Sequence, residues 1–115
     1  MSKELIDFNE YIEIEKKLEI RIGSIVDADV IPKSKKMVKL RVSFSGELDA
    51  PEMKTVVTNL GDKFGIKDFI GIRCPFITNL APVTIMGVMS EAMIVVAEKN
   101  GNVELTDYSI GSKLL

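Results

Sequence analysis

Five cations stand within nine residues near the middle of the chain, the densest group of side chains that could bind a ligand. They are Lys33, Lys35, Lys36, Lys39 and Arg41. Ammonium and guanidinium groups spaced along a rim suit a phosphate backbone, whose contacts depend more on charge than on shape. The alternative is a solvated strand face that blocks edge pairing with other strands. Composition alone leaves both interpretations open.

Groups for catalysis are scarce. The 115 residues include no histidine and one cysteine, Cys74, so the commonest general base and metal ligand are missing and no intrachain disulfide can form. The sequence shows no nucleophile with a base, no metal-ligand cluster and no phosphate-binding glycine loop. We therefore expect no enzyme activity and no metal or other cofactor, although Asp, Glu and Lys could still transfer protons.

The apolar residues recur mainly with a period of two, which is typical of strands, so we expect strands to position the five cations. Residues 38–44 alternate apolar and polar side chains, which predicts a strand with its cations on one face. Four further segments show strand patterns: 18–30, 53–59, 72–77 and 91–98. Phe44 and Phe76 fall at apolar positions and are expected in the core.

Glycines and prolines mark the connections. Gly23 interrupts the first strand and predicts a bulge or a tight bend there. Asn100-Gly101 predicts a hairpin turn. Residues 60–70 predict a turn with a short helix, and loops are expected at 45–51 and 78–82.

The N-terminal residues 2–17 are expected to form a helix, with Ser2 as its N-cap and an apolar stripe at Leu5, Phe8 and Ile12. This helix should lie on the strands and cover one open end. Together the elements predict an all-β fold with short helices: a five-stranded OB-fold β-barrel with an N-terminal helix. We expect one domain over 1–115, in which 1–17 is a helical extension.

Several runs resemble the tRNA-binding domain family. Residues 18–28, LEIRIGSIVDA, look like its opening L-D-x-R-V-G-x-I-x-x-A. Residues 31–42, IPKSKKMVKLRV, are similar to H-P-x-A-D-K-L-x-x-L-x-V, with Ile31 in the His place. Residues 77–97 match the later N-L…G…S run in part, and 110–113 resemble the closing G-S-K run. The chain's length and its short helix look most like the CsaA branch of that family.

The resemblance implies an OB-fold, a homodimer and binding to the outer corner of tRNA. With it, the five-cation group becomes the predicted tRNA contact. Asn79 and Ser90 match polar positions beside the family's binding surface, although both could instead close loops. Met93 also matches and is expected in the core. Because aromatic residues are few, recognition of folded RNA by shape is favoured over gripping of single strands.

Residues 81–86 carry no charge where the family is usually basic. The segment 82–89 forms an unusually apolar loop, and exposed apolar patches mark partner surfaces. Its candidate contact residues are Val83, Ile85, Met86 and Met89. The expected partner is a second copy of the chain. The CsaA label leaves open a chaperone that binds unfolded polypeptide, and docking to an aminoacyl-tRNA synthetase also stays open.

Charge and hydropathy complete the expectations. The net charge is −2, but residues 30–74 hold nine of the 15 basic residues, so a local basic patch remains compatible with RNA. A single cysteine, no signal-peptide pattern and no run of roughly 20 apolar residues predict a soluble, cytoplasmic protein without a membrane partner.

Overall fold

Antiparallel strands form the wall of a barrel in this chain. The computed structural model describes residues 3–44, 52–100 and 102–105. Its helices are α1 (Phe8–Lys17) and α2 (Ile66–Phe69), with a 3₁₀ turn at Leu60–Asp62. Its strands are β1 (Ile20–Val30), β2 (Val38–Ser43), β3 (Met53–Thr58), β4 (Arg73–Ile77), β5 (Val83–Ile85), β6 (Val88–Ser90), β7 (Met93–Ile94), β8 (Ala97–Lys99) and β9 (Asn102–Glu104).

Five strands pair antiparallel in the order β3-β2-β1-β4-β7, and contacts between β3 and β7 bring the two edges together. The result is a nearly closed barrel. The strand pairs β5–β6 and β8–β9 form separate hairpins. The predicted all-β, five-stranded OB-type barrel with an N-terminal helix is confirmed.

The core lies inside the barrel and is built from one face of each long strand. Along β2 the apolar residues are buried and the cations are half-buried, as the period of two predicts. Phe69 and Phe76 are the largest fully buried side chains. Phe44 packs edge-on against Phe76 with ring centroids 5.5 Å apart, so both phenylalanines predicted for the core lie in or beside it. Each fully buried apolar side chain contributes about 1.5–3 kcal/mol.

The bulge predicted at Gly23 lies two residues further along the first strand. β1 runs through Gly23 without a break, and at this residue it pairs in regular register with Cys74 of β4. A Cβ there would stand 2.5 Å from Val42 Cγ1 and 2.7 Å from Phe44 Cε1, so glycine is required because two side chains pack over the backbone. The ladder is irregular instead between Ile25 and Asp27, where the chain inserts an extra exposed residue.

The N-terminal helix is shorter than predicted. It begins at Phe8, because the Asp7 carboxylate accepts a hydrogen bond of 2.8 Å from the Glu10 N–H and caps the first turn. Residues 3–7 are not helical, and Ser2 lies outside the described residues. No residue of α1 is buried, so the expectation that the helix covers an end of the barrel is wrong. Charged side chains interrupt its apolar positions and leave it on the surface.

The predicted apolar loop at 82–89 is a β-hairpin. Its strands β5 and β6 join through Met86 and Gly87, whose φ values of 50° and 81° are those of a type I′ turn. The strand predicted at 91–98 is divided into β7 and β8. β8 pairs with β9, so the predicted hairpin is confirmed.

Other connections match where they are described. The predicted turn with a short helix appears as the 3₁₀ turn and α2. The predicted loop at 45–51 and the matching run at 110–113 lie outside the described residues. Among the helices of 3–44, 52–100 and 102–105, none has the length and apolar character that crossing a bilayer requires.

Candidate nucleic-acid interface

The connection between β1 and β2, residues 31–37, carries three of the predicted cations and is called the lysine loop below. Ser34 braces it from within, because its hydroxyl accepts hydrogen bonds from the N–H groups of Lys36 (3.3 Å) and Met37 (3.0 Å). The Ser34 N–H donates to the Ile31 carbonyl oxygen at 3.3 Å. The Ile31 N–H in turn donates to the Met37 carbonyl oxygen at 3.1 Å and closes the loop.

The lysine loop is also held from outside. The Gly61 N–H donates to the Lys36 carbonyl oxygen at 2.7 Å, and a Cβ at Gly61 would stand only 2.6 Å from that oxygen. Glycine therefore lets the 3₁₀ turn approach the loop closely. The side chains of Lys33, Lys35 and Lys36 are exposed. A braced backbone with exposed ammonium groups loses little loop entropy when it meets an anionic partner.

The two cations on β2 have different surroundings. Lys39 lies in register opposite Asp29 of β1, and Arg41 lies opposite Asp27. Residues directly opposite each other in an antiparallel pair share a face, so each cation has an acidic neighbour. Arg41 Nη1 also donates to Thr55 Oγ1 at 2.7 Å. The predicted five-cation group therefore divides into three exposed lysines and two cations offset by aspartates, a division that the sequence reasoning missed.

The two predicted polar site residues both make structural bonds. Asn79 Oδ1 accepts from the Glu19 N–H at 2.9 Å, and its Nδ2 donates to the Lys17 carbonyl oxygen, which ties the end of α1 to the barrel. Ser90 is buried; its hydroxyl accepts from the Val57 N–H at 3.0 Å and donates to the Ala92 carbonyl oxygen at 3.2 Å. These bonds match the loop-closing alternative, and the RNA-binding roles stay predictions.

Apolar side chains lie on both sides of the β5–β6 hairpin and on β7, and together they are called the apolar face below. They are Val83, Ile85, Met86, Met89 and Met93, of which Met89 lies opposite Thr84 in the ladder and so on the other side of the hairpin from Val83 and Ile85. Ile85 is half-buried, and the other four are 50–58% exposed. The core position predicted for Met93 is therefore wrong, because the β7 residue that packs on the core is its neighbour Ile94. Two adjoining apolar pockets of about 360 and 230 Å³ share Val57, Ile85 and Met93 in their walls.

A cleft of about 330 Å³ lies between the lysine loop and the tip of the β5–β6 hairpin. It is lined by Asp29, Val30, Ile31, Pro32, Lys39, Met86 and Val88. One acidic and one basic side chain thus share a cleft that is otherwise apolar. Sequence reasoning misses this cleft because it predicts an irregular loop where the hairpin forms.

An ionic cluster on the other side of β1 was also missed. The Arg21 guanidinium forms two hydrogen bonds of 2.8 Å with the Glu52 carboxylate and stands 5.0 Å from the ring centroid of Phe44. The hydrogen bond from Arg21 lowers the pKa of Glu52, and the same bond raises the pKa of Arg21. In this cluster the charge of Arg21 is balanced by Glu52. The positive charge of the lysine loop is more accessible than that of Arg21.

Comparison with known proteins identifies the family to which the barrel and its lysine loop belong. The family model described as putative tRNA binding domain matches residues 20–113. A methionine–tRNA ligase from Methanocaldococcus jannaschii is 37% identical over 116 residues, which cover 96% of this chain and 16% of the ligase. The chain spans 12–16% of the length of the methionine–tRNA ligases that it matches.

Two solved structures cover nearly the whole chain. A MetRS-related protein from Pyrococcus horikoshii is 28% identical with a TM-score of 0.79, and the match covers 98% of this chain and all of that one. The CsaA chaperone from Bacillus anthracis is 23% identical with a TM-score of 0.71, and the match covers 97% of this chain and all of the other. The second likeness supports the fold.

Proposed function

The chain belongs to the putative tRNA-binding domain family, and on that premise we propose that it is a non-catalytic module that binds folded tRNA. The proposal includes recognition by shape and phosphate contacts, a cytoplasmic setting and a single domain over 1–115 with its helical extension. Attachment to, or docking on, an aminoacyl-tRNA synthetase is compatible with the ligase relatives, in which a matching segment is part of a much longer chain.

The braced lysine loop is the observation that carries the proposal. Its three exposed ammonium groups project from a backbone held by Ser34 and Gly61. Lysine is a point charge that accepts many approach angles, which suits phosphates along a curved RNA surface. Counterion release from those phosphates supplies binding energy that falls steeply as salt is added.

The test is a titration with unfractionated tRNA at several salt concentrations. The variant Lys33→Gln/Lys35→Gln/Lys36→Gln should flatten the log–log salt dependence by roughly two units, because each neutralised phosphate adds about 0.7–0.9 to the slope. The matched control is Lys3→Gln/Lys16→Gln/Lys17→Gln, which removes three exposed lysines near α1. Its slope should stay close to that of the wild type. Equal slopes in the two variants would remove the lysine loop from the binding surface, and no tRNA binding at low salt would refute the function.

The strand cations should matter less than the loop lysines. Since Asp29 and Asp27 lie opposite Lys39 and Arg41, the variant Lys39→Gln/Arg41→Gln should change the salt slope by less than the loop variant does, even per cation removed. A larger change would mean that the aspartates do not offset these cations and that the β2 face contacts phosphates directly.

We also propose that the apolar face is buried in a homodimer, with Met86 at its edge and still open to the cleft beside the lysine loop. Val83 and Met93, both half-exposed, line the two apolar pockets, and Met86 and Met89 add exposed apolar surface on the hairpin beside them. Exposed apolar surface of this kind marks partner sites. Val83→Thr/Met86→Asn/Met89→Thr keeps strand-forming residues at 83 and 89 and puts at 86 a residue that tolerates positive φ. The variant should sediment as a monomer. Val26→Thr/Ile70→Thr, which changes exposed residues outside the face, should leave the mass unchanged.

The second candidate function is a chaperone that uses the same apolar face for unfolded polypeptide. The observation that favours it is the exposure of three methionines, whose flexible side chains adapt to varied partners. Suppression of client aggregation should then be salt-tolerant and absent in the 83/86/89 variant. A dimer that persists in this variant while aggregation suppression disappears would assign the face to clients. Dissociation of the dimer with unchanged suppression would assign it to self-association.

A further inference from the structure

The cleft between the lysine loop and the hairpin tip combines two features that a planar ligand needs. Its walls are apolar, with Pro32 on the loop side and Met86 and Val88 on the hairpin side. Its volume, about 330 Å³, is at the small end of ligand pockets, which suits a single ring system. Met86 is 50% exposed and Asp29 is also exposed, so the cleft can be entered from solvent.

The charged pair in the cleft has unused hydrogen-bonding capacity. Asp29 and Lys39 are directly opposite each other in the β1–β2 ladder, so their side chains leave the same face. Within the described part of the chain, neither side chain makes a hydrogen bond or an ion pair. A carboxylate that accepts and an ammonium that donates are thus available side by side.

We propose that this cleft binds the base of an unpaired guanosine in RNA. Guanine alone among the four bases presents two adjacent donors, N1–H and N2–H, and both can bond one carboxylate. Its O6 acceptor is next to N1, so the Lys39 ammonium beside the carboxylate can donate a hydrogen bond to it. Adenine and cytosine offer one donor group with an adjacent acceptor, which would face the Asp29 carboxylate unfavourably, and uracil offers a single donor.

The two faces of the guanine ring need contacts, in addition to the hydrogen bonds along its edge. Extruded bases in protein pockets are held between aromatic or apolar side chains. Met86 and Val88 on one side and Pro32 on the other supply such contacts, although the chain has few aromatic residues. The lysine loop adjoins the cleft, because Pro32 and Ile31 belong to both, so its ammonium groups would be within reach of the sugar-phosphate of a base held there. This inference rests on the proposed RNA binding and adds a base preference to it.

The experiment measures binding of RNA hairpins that differ in one loop nucleotide. The stem is constant, and the loop consists of uridines with one position occupied by guanosine, adenosine or inosine. Wild-type protein should bind the guanosine hairpin roughly tenfold tighter than the adenosine hairpin. Inosine, which lacks the N2 amino group, should fall between them. Equal affinities for all three would overturn the proposal.

Two matched variants distinguish the effect of losing one negative charge from the loss of guanine recognition. Asp29→Asn removes a negative charge and the paired acceptor, so it should tighten binding of the adenosine hairpin and remove the guanosine preference. Asp27→Asn makes the same charge change two residues away on the same strand and outside the cleft. It should tighten binding of both hairpins and keep the preference. A preference that survives Asp29→Asn would overturn the assignment of Asp29.

A titration with free nucleotides distinguishes this proposal from the tRNA function. Guanosine monophosphate should shift the backbone amide resonances of residues 29–32 and 86–88, and adenosine monophosphate should shift them much less. If tRNA binds through the lysine loop and neither nucleotide acts selectively, tRNA binding stands and the guanine site is wrong. If guanosine monophosphate acts selectively and tRNA does not bind, the cleft is a guanine site and the tRNA function is wrong.

Discussion

Replacing Gly61 with alanine tests whether the lysine loop owes its position to the nearby 3₁₀ turn. An added Cβ would lie 2.6 Å from the Lys36 carbonyl oxygen and 2.8 Å from Val38 Cγ2. Close carbon–oxygen contacts in proteins are about 3.3–3.6 Å, so the two segments must separate by roughly 0.7–1 Å. The hydrogen bond from the Gly61 N–H to Lys36, 2.7 Å long, then lengthens and weakens.

The cost follows from three contributions. Overpacking of this kind costs about 1–3 kcal/mol, and breaking the hydrogen bond costs about 0.5–1.5 kcal/mol net. Alanine offsets about 0.4–1 kcal/mol of this by restricting the unfolded chain. The expected destabilisation is about 0.5–4 kcal/mol with a midpoint near 2 kcal/mol, which lowers Tm by roughly 8 °C in a domain of this size. The tRNA Kd should weaken a few-fold with an unchanged salt slope, because the number of cations is the same.

The control is Gly65→Ala, in which the new Cβ would make an ordinary contact of 3.6 Å with Asp68 Oδ2. Thermal melts of both variants, followed by tRNA titration at several salt concentrations, provide the comparison. Gly65→Ala should stay near the wild type in both measurements. If the two alanine variants have the same Tm, the close approach at Gly61 does not constrain the structure, and the argument that it braces the lysine loop fails.

Three further predictions concern polar contacts. Ser90→Ala leaves the buried Val57 N–H without its acceptor and should cost about 1–3 kcal/mol in a denaturant titration; a cost near zero would contradict the bonding described. The Arg21–Glu52 pair should show a coupling of about 1 kcal/mol or less in a double-mutant cycle, since both side chains are about a third or more exposed. Because the pKa of Glu52 is lowered in the folded state, this contribution is present at neutral pH and is lost as pH falls through that pKa, so Glu52→Gln should reduce the acid sensitivity of stability below about pH 4.5. A cycle whose coupling stays the same at low pH would be inconsistent with the pair. Asn79→Ala should speed amide exchange at the C-terminal end of α1 and change global stability by less than about 1 kcal/mol, whereas unchanged exchange would mean that Asn79 does not hold the helix.

The sequence predicts the barrel well because its signal is local. Alternation along residues 38–44 specifies which face of β2 is buried, and register then follows from matching apolar faces on its neighbours. The signal for the pairing of β8 with β9 is equally local, because it is the Asn-Gly dipeptide between them in the sequence. These features need no knowledge of distant residues, and the structure confirms them.

The features that failed depend on contacts between distant residues. Gly23 predicts a bulge at its own position, but the bulge lies between Ile25 and Asp27. The role of Gly23 is to leave room for Val42 and Phe44, which come later in the chain and pack over it. The hairpin at 83–90 has strands of three residues, too short for a periodic signal, and its Met86-Gly87 turn has an unusual first residue. Where contacts between distant residues determine the structure, the type of a residue does not by itself reveal its structural role.

The candidate site shows the same limit in its electrostatics. Five cations close together in sequence predict one basic patch, but the β1–β2 register places an aspartate opposite each cation of β2. Only the lysines of the connecting loop extend beyond these acidic neighbours. At physiological salt, charges act over about 8 Å, so a phosphate responds to the groups that surround it and not to the net charge of −2. A chain with a net negative charge can therefore present a binding surface for RNA. The same register that offsets Lys39 also places Asp29 where it could select guanine, so the acidic residues would reduce general affinity for phosphate while adding a preference for one base.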